Sequence, residues 1–231
     1  MTVKHQLVVL DFDGFMIDSY GLLKQTFAAF GLDVGDQERF KNRRKFLKYF
    51  GGGRELLGNL VSVSLPRKRR VRQVLTEAYM ESGRVYAPFV PLINDLAARA
   101  DTSLGLVSRN YTLRPGLTLR TVLRNSGIED SALDFVIPIP AGSRKDNVLE
   151  GMRSSRHRHA LLGGDEIGDY RAAEATGYQA VIASYGFDTH KRLVEKGKVP
   201  EAVIFDSPET LVENFRLAMA AGRARAAKAQ D

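Results

Sequence analysis

The stretch QLVVLDFDG at residues 6–14 decides the fold class of this chain. Its first five residues form a short apolar run of the kind that makes a buried parallel β-strand. The run stops at Asp11, and Asp13 follows two positions later. Carboxylates at positions i and i+2 of a strand end project to the same side. Asp11 and Asp13 can therefore act on one substrate while serving different roles.

The composition predicts a globular protein with one large domain, or a core with a modest insert. The chain has 231 residues, of which 44% are apolar and 26% charged, and it contains no cysteine. The absence of cysteine excludes disulfides and thiolate metal sites and is typical of a reducing compartment. The apolar run at residues 7–10 is too short for a signal peptide or a membrane span. We therefore expect a cytoplasmic protein with no membrane partner.

A helical pattern follows the first strand. Apolar residues recur at helical spacing from Leu22 to Phe30, and Gly31 ends the run. Three more helices are predicted, with glycines and a proline as breaks between them, at residues 37–50, 55–63 and 67–84. These patterns predict an all-helical insert over residues 15–88.

After residue 88, predicted strands and helices alternate. Strands are predicted at residues 103–107, 135–137, 160–162, 179–183 and 202–205. Helices are predicted at residues 92–100, 117–125, 145–152, 170–175, 190–195 and from 208 onward. Repeated strand and helix units form a parallel sheet that is covered on both faces. The fold class is therefore α/β, with an open core formed by residues 1–14 and 89–231.

Four groups of polar residues lie where the predicted strands end. In chain order they are Asp11 and Asp13, then Ser108, Arg109 and Asn110, then Lys145, and finally Asp165 and Asp169. Each group alone is better explained as a turn, a helix cap or a solvated lysine than as a functional site. Because the ligands of open α/β sheets bind outside the carboxyl ends of the strands, all four groups in order predict one shared site.

These residue types suit phosphoryl transfer. A carboxylate nucleophile such as Asp11 divides the slow displacement at a phosphate ester into two easier steps. Since the phosphate and the nucleophile are both anionic, the site needs cations, and Asp11 and Asp165 offer the oxygen ligands that Mg²⁺ prefers. Lys145 adds a positive charge, and the Ser108 hydroxyl can hold a phosphoryl oxygen.

Four sequence motifs resemble those of the haloacid dehalogenase-like (HAD) superfamily. They are DFDG at residues 11–14, Ser108 after an apolar strand, Lys145 at a helix start, and GDEIGDYRAAEATG at residues 164–177. The chain is especially similar to phosphoglycolate-phosphatase-like members, and the likeness covers residues 6–18 and roughly 88–208. The resemblance implies a Rossmann-like α/β core with an inserted helical cap. It also implies a phosphoric monoester hydrolase with Mg²⁺ as its cofactor.

The resemblance implies a role for each residue at the strand ends. Asp11 would be the nucleophile that forms an aspartyl-phosphate, and Asp13 would be the general acid and base. The dehalogenases of the superfamily lack the second aspartate, so Asp13 favours phosphoryl chemistry. Asp169 would act behind them, through water or by holding Lys145. The phosphate-binding residues would be Ser108, Arg109 and Lys145. The metal ligands would be Asp11, Asp13 through its backbone carbonyl, and Asp165.

Two residues near the site depart from the family pattern. Phe15 stands where the family usually has threonine, which indicates an altered loop beneath the cap. Asp146 follows Lys145 where proline is common, which places a carboxylate near the lysine and predicts a weaker field from its charge. Neither departure removes a catalytic group.

The insert carries all of the net charge. Residues 15–88 contain 14 Lys or Arg and 7 Asp or Glu, a difference equal to the net charge of +7. The basic residues cluster at 41–45 and at 67–72, and a solvated helix face is the favoured interpretation. The alternative is that the clusters attract an anionic substrate or the phosphates of nucleic acid. Tyr79 and the other aromatic residues nearby have helical spacing, which favours core packing over base stacking.

Three functions remain open from the sequence. The favoured one is a Mg²⁺-dependent phosphatase of a small phosphorylated metabolite, with the cap closing over the site. A phosphomutase of the same superfamily uses the same groups and differs only in the acceptor. The third is a non-catalytic protein that binds nucleic acid or an acidic partner through the basic cap, and nucleic acid is the less favoured partner. The substrate and the oligomeric state are left open.

Overall fold

A computed structural model of the chain describes residues 4–35, 68–140 and 143–228. This part of the chain contains six strands with helices around them. The strands are β1 (Gln6–Leu10), β2 (Thr102–Ser108), β3 (Phe135–Pro138), β4 (His159–Gly164), β5 (Gln179–Ala183) and β6 (Ile204–Phe205). The longer helices are α1 (Ser19–Ala28), α2 (Lys68–Ser82), α3 (Phe89–Ala97), α4 (Pro115–Asn125), α5 (Lys145–Met152), α6 (Ile167–Thr176) and α7 (Pro208–Lys228).

The six strands form one parallel sheet in the order β3-β2-β1-β4-β5-β6. β1 is central, and its Leu10 is paired with Leu106 of β2 and with Gly163 of β4. The strand order reverses at β1, because β2 and β3 lie on one side of it and β4 to β6 on the other. Such a reversal leaves a crevice at the carboxyl ends of the strands, where α/β proteins bind ligands. The predicted fold class, an α/β protein with a Rossmann-like parallel sheet, is confirmed.

Helices cover both faces of the sheet, and β1 is buried on both. Val8 and Leu10 belong to one apolar core, together with residues of α3, α4 and α7. Leu7 and Val9 belong to a second core, together with residues of α5 and α6. Side chains alternate between the two faces of a strand, so a strand covered on both faces must be apolar throughout. This is why residues 7–10 form a continuous apolar run.

The longest described helix, α7, packs an apolar stripe against the sheet. Leu211, Phe215 and Met219 recur four positions apart and are buried. Arg216 of the same helix bonds to Asp95 of α3 at 3.1 Å on the protein surface. None of the described helices, α7 included, is both long enough and apolar enough to span a membrane.

Most predicted elements of the core agree with the structure, and the differences have identifiable reasons. The predicted bounds of α5 and β5 match the observed ones. α3 begins at Phe89, earlier than predicted, because Pro91 falls in the first turn, where no backbone N–H is needed. β6 is shorter than the strand predicted at 202–205, since Glu201–Val203 form a 3₁₀-helix. The helix predicted at 190–195 is divided into an α-helical turn and a π-helix, at His190–Arg192 and Leu193–Gly197.

Two described helices, α1 and α2, belong to the predicted insert at residues 15–88, and they pack against each other. α2 agrees with the described part of the helix predicted at 67–84. The other two predicted helices lie outside the described residues, as do the basic cluster at 41–45 and the glycines at 51–53. The division of the chain into a core and an inserted cap remains a prediction.

The chain leaves for the insert and returns from it at neighbouring points. Ile17 forms a parallel bridge with Asp13 and an antiparallel bridge with Val85. Phe15, at the position where the family usually has threonine, is fully buried and packs its ring against Phe89 of α3, with ring centroids 5.1 Å apart. The loop that follows Asp13 is therefore held both by backbone pairing and by an apolar contact with the core.

We expect Gly105→Ala to destabilise the sheet between β2 and β3. Gly105 pairs with Phe135, and an added Cβ would lie 2.3 Å from the Phe135 ring and 2.5 Å from its carbonyl oxygen. Because paired strands cannot separate without losing hydrogen bonds, we expect the free energy of unfolding in urea to fall by about 1–3 kcal/mol. Gly151→Ala is the control, since nothing lies within 4 Å of its added Cβ. Equal unfolding midpoints for the two variants would contradict the expectation.

Candidate active site

Asp11 lies directly after β1, at the carboxyl edge of the sheet. Its N–H donates to the carbonyl of Gly163 at 2.8 Å, which continues the pairing of β1 with β4 by one residue. Its carboxylate is buried and accepts two hydrogen bonds, from the Phe12 N–H at 2.7 Å and from Lys145 Nζ at 2.7 Å. Burial raises the pKa of Asp11, and the Lys145 ammonium opposes that rise. Lys145 therefore helps to keep this buried side chain ionised.

Lys145 is the first residue of α5, and its ammonium lies between two buried carboxylates. Nζ donates to Asp11 at 2.7 Å and to Asp169 at 2.5 Å. Burial alone would lower the pKa of Lys145, but the two carboxylates raise it above its ordinary value. Asp146 does not pair with this lysine, because its carboxylate accepts from the Arg144 guanidinium at the surface, with Nε at 3.0 Å from Oδ2. No direct contact between Asp146 and Lys145 therefore supports the prediction that Asp146 weakens the electric field of the lysine.

Asp165 and Asp169 lie where β4 ends and α6 begins. Asp165 is fully buried, and its Oδ2 accepts from the Phe187 N–H at 2.6 Å. Its Oδ1 is also buried and has no hydrogen-bond partner among the described residues. Asp169 Oδ2 accepts from the N–H groups of Asp165 and Glu166 at 3.1 and 3.0 Å, as part of a capping box at the start of α6. The helix start thus holds the carboxylate of Asp169, whereas the Phe187 N–H holds that of Asp165.

Three carboxylates converge at this point. One oxygen each of Asp11, Asp165 and Asp169 lies within 4.8 Å of the others. Burial raises the pKa of Asp165 well above its ordinary value, and the neighbouring charges of Glu166, Asp11 and Asp169 raise it further. Crowded, buried carboxylates of this kind are stabilised by a bound cation. The oxygen atoms are of the type that a divalent metal ion such as Mg²⁺ takes as ligands.

Asp13 lies two residues beyond Asp11. Its carboxylate is buried and accepts hydrogen bonds from three donors. Its Oδ1 accepts from Tyr79 at 2.6 Å and from Ser19 at 3.0 Å, and its Oδ2 accepts from Asn110 Nδ2 at 3.0 Å. Burial raises the pKa of Asp13 to about 6, with Asp11 adding to the rise and the three donors opposing it. A group that ionises near neutral pH suits general acid and base catalysis.

Ser108 and Arg109, at the end of β2, present donors that are not fully used. Ser108 is fully buried, and its Oγ has no hydrogen bond of standard geometry within the described residues, although it lies near enough to lower the pKa of Asp11. Arg109 Nη2 donates to the Ser143 carbonyl at 3.0 Å, while its buried Nε has no partner in this part of the chain. Buried donors without a partner are rare in folded proteins, which marks this end of β2 as unusual.

The site residues surround a cavity of about 460 Å³. Six predicted site residues line it, namely Asp11, Asp13, Arg109, Lys145, Asp165 and Asp169. Ser108 is not part of the lining and lies buried at the end of β2. Leu23 of α1 and Tyr79 of α2 form part of the wall, so the described helices of the insert contribute to the cavity.

The sequence prediction named Asn110 at the strand ends but missed the contacts that α2 makes with Asp13 and with the loop after β2. Tyr79 is buried, as its helical spacing indicated, but its contact with Asp13 was not predicted. Arg72 was assigned to a solvated helix face, and this was wrong: it is half-buried and donates to two backbone carbonyls, those of Tyr111 and Thr112. The sequence signal that could have indicated these contacts is a row of polar residues in α2 at the spacing of one helix face.

Solved structures match the chain over nearly its whole length. One, described as a proposed phosphoglycolate phosphatase from Lactobacillus delbrueckii subsp. bulgaricus, is 18% identical, with 92% of this chain and 98% of that chain covered and a TM-score of 0.58. A haloacid dehalogenase-like hydrolase from Streptococcus pneumoniae is also 18% identical, with 90% and 97% covered and a TM-score of 0.56.

A third structure, described as a proposed β-phosphoglucomutase from Thermotoga maritima, is 14% identical, with 91% of this chain and 98% of that chain covered and a TM-score of 0.61. No protein-family model and no curated protein matches the chain by sequence. At these identities the likeness shows the fold. The chain therefore has the haloacid dehalogenase-like fold, as the resemblance of its motifs predicted.

Proposed function

We propose that the protein is a Mg²⁺-dependent phosphatase that hydrolyses a small phosphorylated metabolite through an aspartyl-phosphate on Asp11. The observation that carries the proposal is the buried arrangement of Lys145 between Asp11 and Asp169, with Asp165 next to them. A cation beside a nucleophilic carboxylate lets an anionic phosphate approach it. The named neighbours, two of them described as a phosphatase and a hydrolase, support the same class of reaction.

The residues of the site fit a Mg²⁺ ion. Asp165 offers a buried oxygen without a hydrogen-bond partner in the described chain, and Asp11 lies within reach of the same point. Both oxygens of Asp169 already accept hydrogen bonds, from Lys145 and from two backbone N–H groups, so Asp169 fits a supporting role better. The backbone carbonyl of Asp13 remains the third proposed ligand. When bound, the ion would offset the negative charge of the phosphoryl oxygens.

In the first step, a carboxylate oxygen of Asp11 attacks the phosphorus atom. The bond between phosphorus and the leaving-group oxygen breaks, and Asp13 gives its proton to that oxygen. The ammonium of Lys145 and the donors of Ser108 and Arg109 hold the phosphoryl oxygens during transfer. The products of this step are the aspartyl-phosphate and the free alcohol.

In the second step, water attacks the phosphorus of the aspartyl-phosphate. Asp13, now a carboxylate, takes a proton from the water as the new phosphorus–oxygen bond forms. The bond between phosphorus and the Asp11 oxygen breaks, which restores the Asp11 carboxylate and releases phosphate. One residue therefore serves as acid and then as base, which suits its pKa of about 6.

A phosphomutase is the second candidate, and a neighbour described as a proposed β-phosphoglucomutase favours it. Both reactions share the first step, and they differ in whether water or a second hydroxyl group takes the phosphoryl group. Measurement of phosphate released per molecule of substrate consumed separates them. We expect one phosphate per substrate, and an isomeric phosphate ester without released phosphate would favour the mutase.

The described part of the basic cluster gives no support to a nucleic-acid function. Residues 68–70 are exposed, which agrees with a solvated helix face. Arg72 donates hydrogen bonds to the loop that follows β2, so its guanidinium is not directed only at solvent. Binding of nucleic acid or an acidic partner through the insert therefore stays the least favoured function.

Mg²⁺ should activate and stabilise the protein, and this tests the proposed function. Across a panel of phosphate esters, we expect phosphate release with Mg²⁺ and none with EDTA. Mg²⁺ at 100 times its Kd should raise the free energy of unfolding by about 2.7 kcal/mol, measured as a shift in thermal unfolding. Asp165→Asn should remove both effects, whereas Asp206→Asn, at an exposed position outside the cavity, should keep them. Mg²⁺-independent hydrolysis would overturn the proposed cofactor.

A further inference from the structure

One face of α2 is bound to the loop that follows β2. Arg72 Nε donates to the carbonyl of Tyr111 at 2.8 Å, and its Nη2 donates to the carbonyl of Thr112 at 2.7 Å. One turn further along the helix, Thr76 Oγ1 accepts from the Leu113 N–H at 2.9 Å. These three bonds use consecutive backbone groups of the same loop. α2 is therefore fixed to the core by polar contacts as well as by its buried apolar side chains.

Tyr79 lies on the same face of α2, three residues after Thr76, and its hydroxyl reaches Asp13. It donates to Asp13 Oδ1 at 2.6 Å, and both side chains are buried. The other oxygen of Asp13 accepts from Asn110 at 3.0 Å. Asn110 is held in turn by Thr112, whose N–H donates to the Asn110 Oδ1 at 3.1 Å.

These contacts and the backbone of α2 together form a closed ring that includes Asp13. From Asp13 the ring passes through Asn110 and Thr112 to Arg72, and it returns along α2 to Tyr79. A carboxylate held at both oxygens, by groups that are themselves fixed, has little freedom to rotate. Its orientation is then set before the substrate binds, which is the condition for efficient proton transfer.

We propose that Tyr79 is a positioning residue that fixes Asp13 for proton transfer to the leaving group. The inference rests on the proposed function, in which Asp13 is the general acid. Tyr79 does not touch the reacting atoms and acts through Asp13. It follows that the insert supplies part of the proton-transfer machinery through α2, in addition to forming a wall of the cavity.

The test compares two phosphate esters that differ in their need for a proton. The phenolate of phenyl phosphate is a basic leaving group that gains from protonation, whereas the nitrophenolate of p-nitrophenyl phosphate departs without a proton. kcat/KM reports the step in which the leaving group departs. For Tyr79→Phe we expect kcat/KM to fall about 10-fold with phenyl phosphate and less than about 3-fold with p-nitrophenyl phosphate.

Tyr178→Phe is the matched control. Its hydroxyl donates to the Leu149 carbonyl at 3.0 Å and is buried in the core on the other face of the sheet. Removing it costs a buried tyrosine hydrogen bond without touching Asp13, so kcat/KM should stay unchanged with both esters. The unfolding midpoints of the two variants, measured in parallel, show whether Tyr79→Phe is folded.

Each outcome decides the proposal. An equal loss with both esters, no loss with either, or a gain with phenyl phosphate in folded Tyr79→Phe would overturn the positioning role. A gain would mean that Tyr79 holds Asp13 away from the substrate. If the wild-type protein hydrolyses neither these two esters nor any other ester of the panel with Mg²⁺ present, or if Asp11→Asn hydrolyses them normally, the proposed function fails first and the positioning role fails with it.

Discussion

Asp11→Asn should abolish turnover, with a loss in kcat on the order of 10⁴-fold or more, because an amide oxygen is a poor nucleophile. The variant should also lose the acid-stable phosphoryl-enzyme that a labelled phosphate ester leaves on the wild-type protein after quenching. Asparagine has the shape of aspartate, and Lys145 keeps Asp169 as a partner at 2.5 Å, so the fold should persist. Steady-state hydrolysis and acid-quench trapping together measure the effect.

Asp13→Asn is the comparison that separates the proposed nucleophile, Asp11, from the proposed proton carrier. It removes the transferable proton but leaves the nucleophile, so both half-reactions should slow by something like 10²-fold. Some phosphoryl-enzyme should still form. Near-normal turnover of Asp11→Asn would show that covalent catalysis does not occur at that residue.

Lys145→Met should cause the largest loss of stability among the substitutions considered. It leaves Asp11 and Asp169 buried without their cation, and breaking a buried ion pair in this way costs about 3–5 kcal/mol. The free energy of unfolding in guanidinium chloride measures the loss. Mg²⁺ should restore part of it, because a bound cation again offsets the carboxylates. Hydrolysis should remain absent even where the variant is folded.

Lys191→Met is the control for the loss of a lysine. Its ammonium is exposed and lies 3.9 Å from Glu195, and such surface pairs contribute at most about 1 kcal/mol. The control should therefore unfold close to the wild-type midpoint. A Lys145→Met variant that did the same would show that the buried carboxylates are not held by this lysine.

The strand-end residues were predictable because each follows from a local pattern. β1 is apolar throughout and stops at Asp11, so the sequence places this proposed nucleophile at the edge of a parallel sheet. Lys145 opens α5 at the predicted position, and the capping box at Asp169 marks the start of α6. Once the strands are taken as parallel, their carboxyl ends must meet at one edge, which brings these residues to one cavity.

The surroundings of Asp13 were not predictable, because they depend on how α2 docks. Arg72 lies within a run of basic residues, and sequence alone does not distinguish the one that faces the core from those that face water. Tyr79 is 66 residues from Asp13 along the chain, and only the docked helix brings them together. The pairing of Asp146 with Arg144 likewise depends on the conformation of both side chains. Local periodicity carries no information about such contacts.

The predicted insert begins and ends near Ile17, which is bridged both to Asp13 and to Val85. The number of residues between these points is therefore independent of the geometry of the sheet, and the entropy of closing such a connection rises only slowly with its length. Evolution can lengthen, shorten or rewrite the span between α1 and α2 while the strand ends stay where they are. α2 itself has no such freedom, because the hydroxyl of its Tyr79 donates to Asp13 beside the cavity.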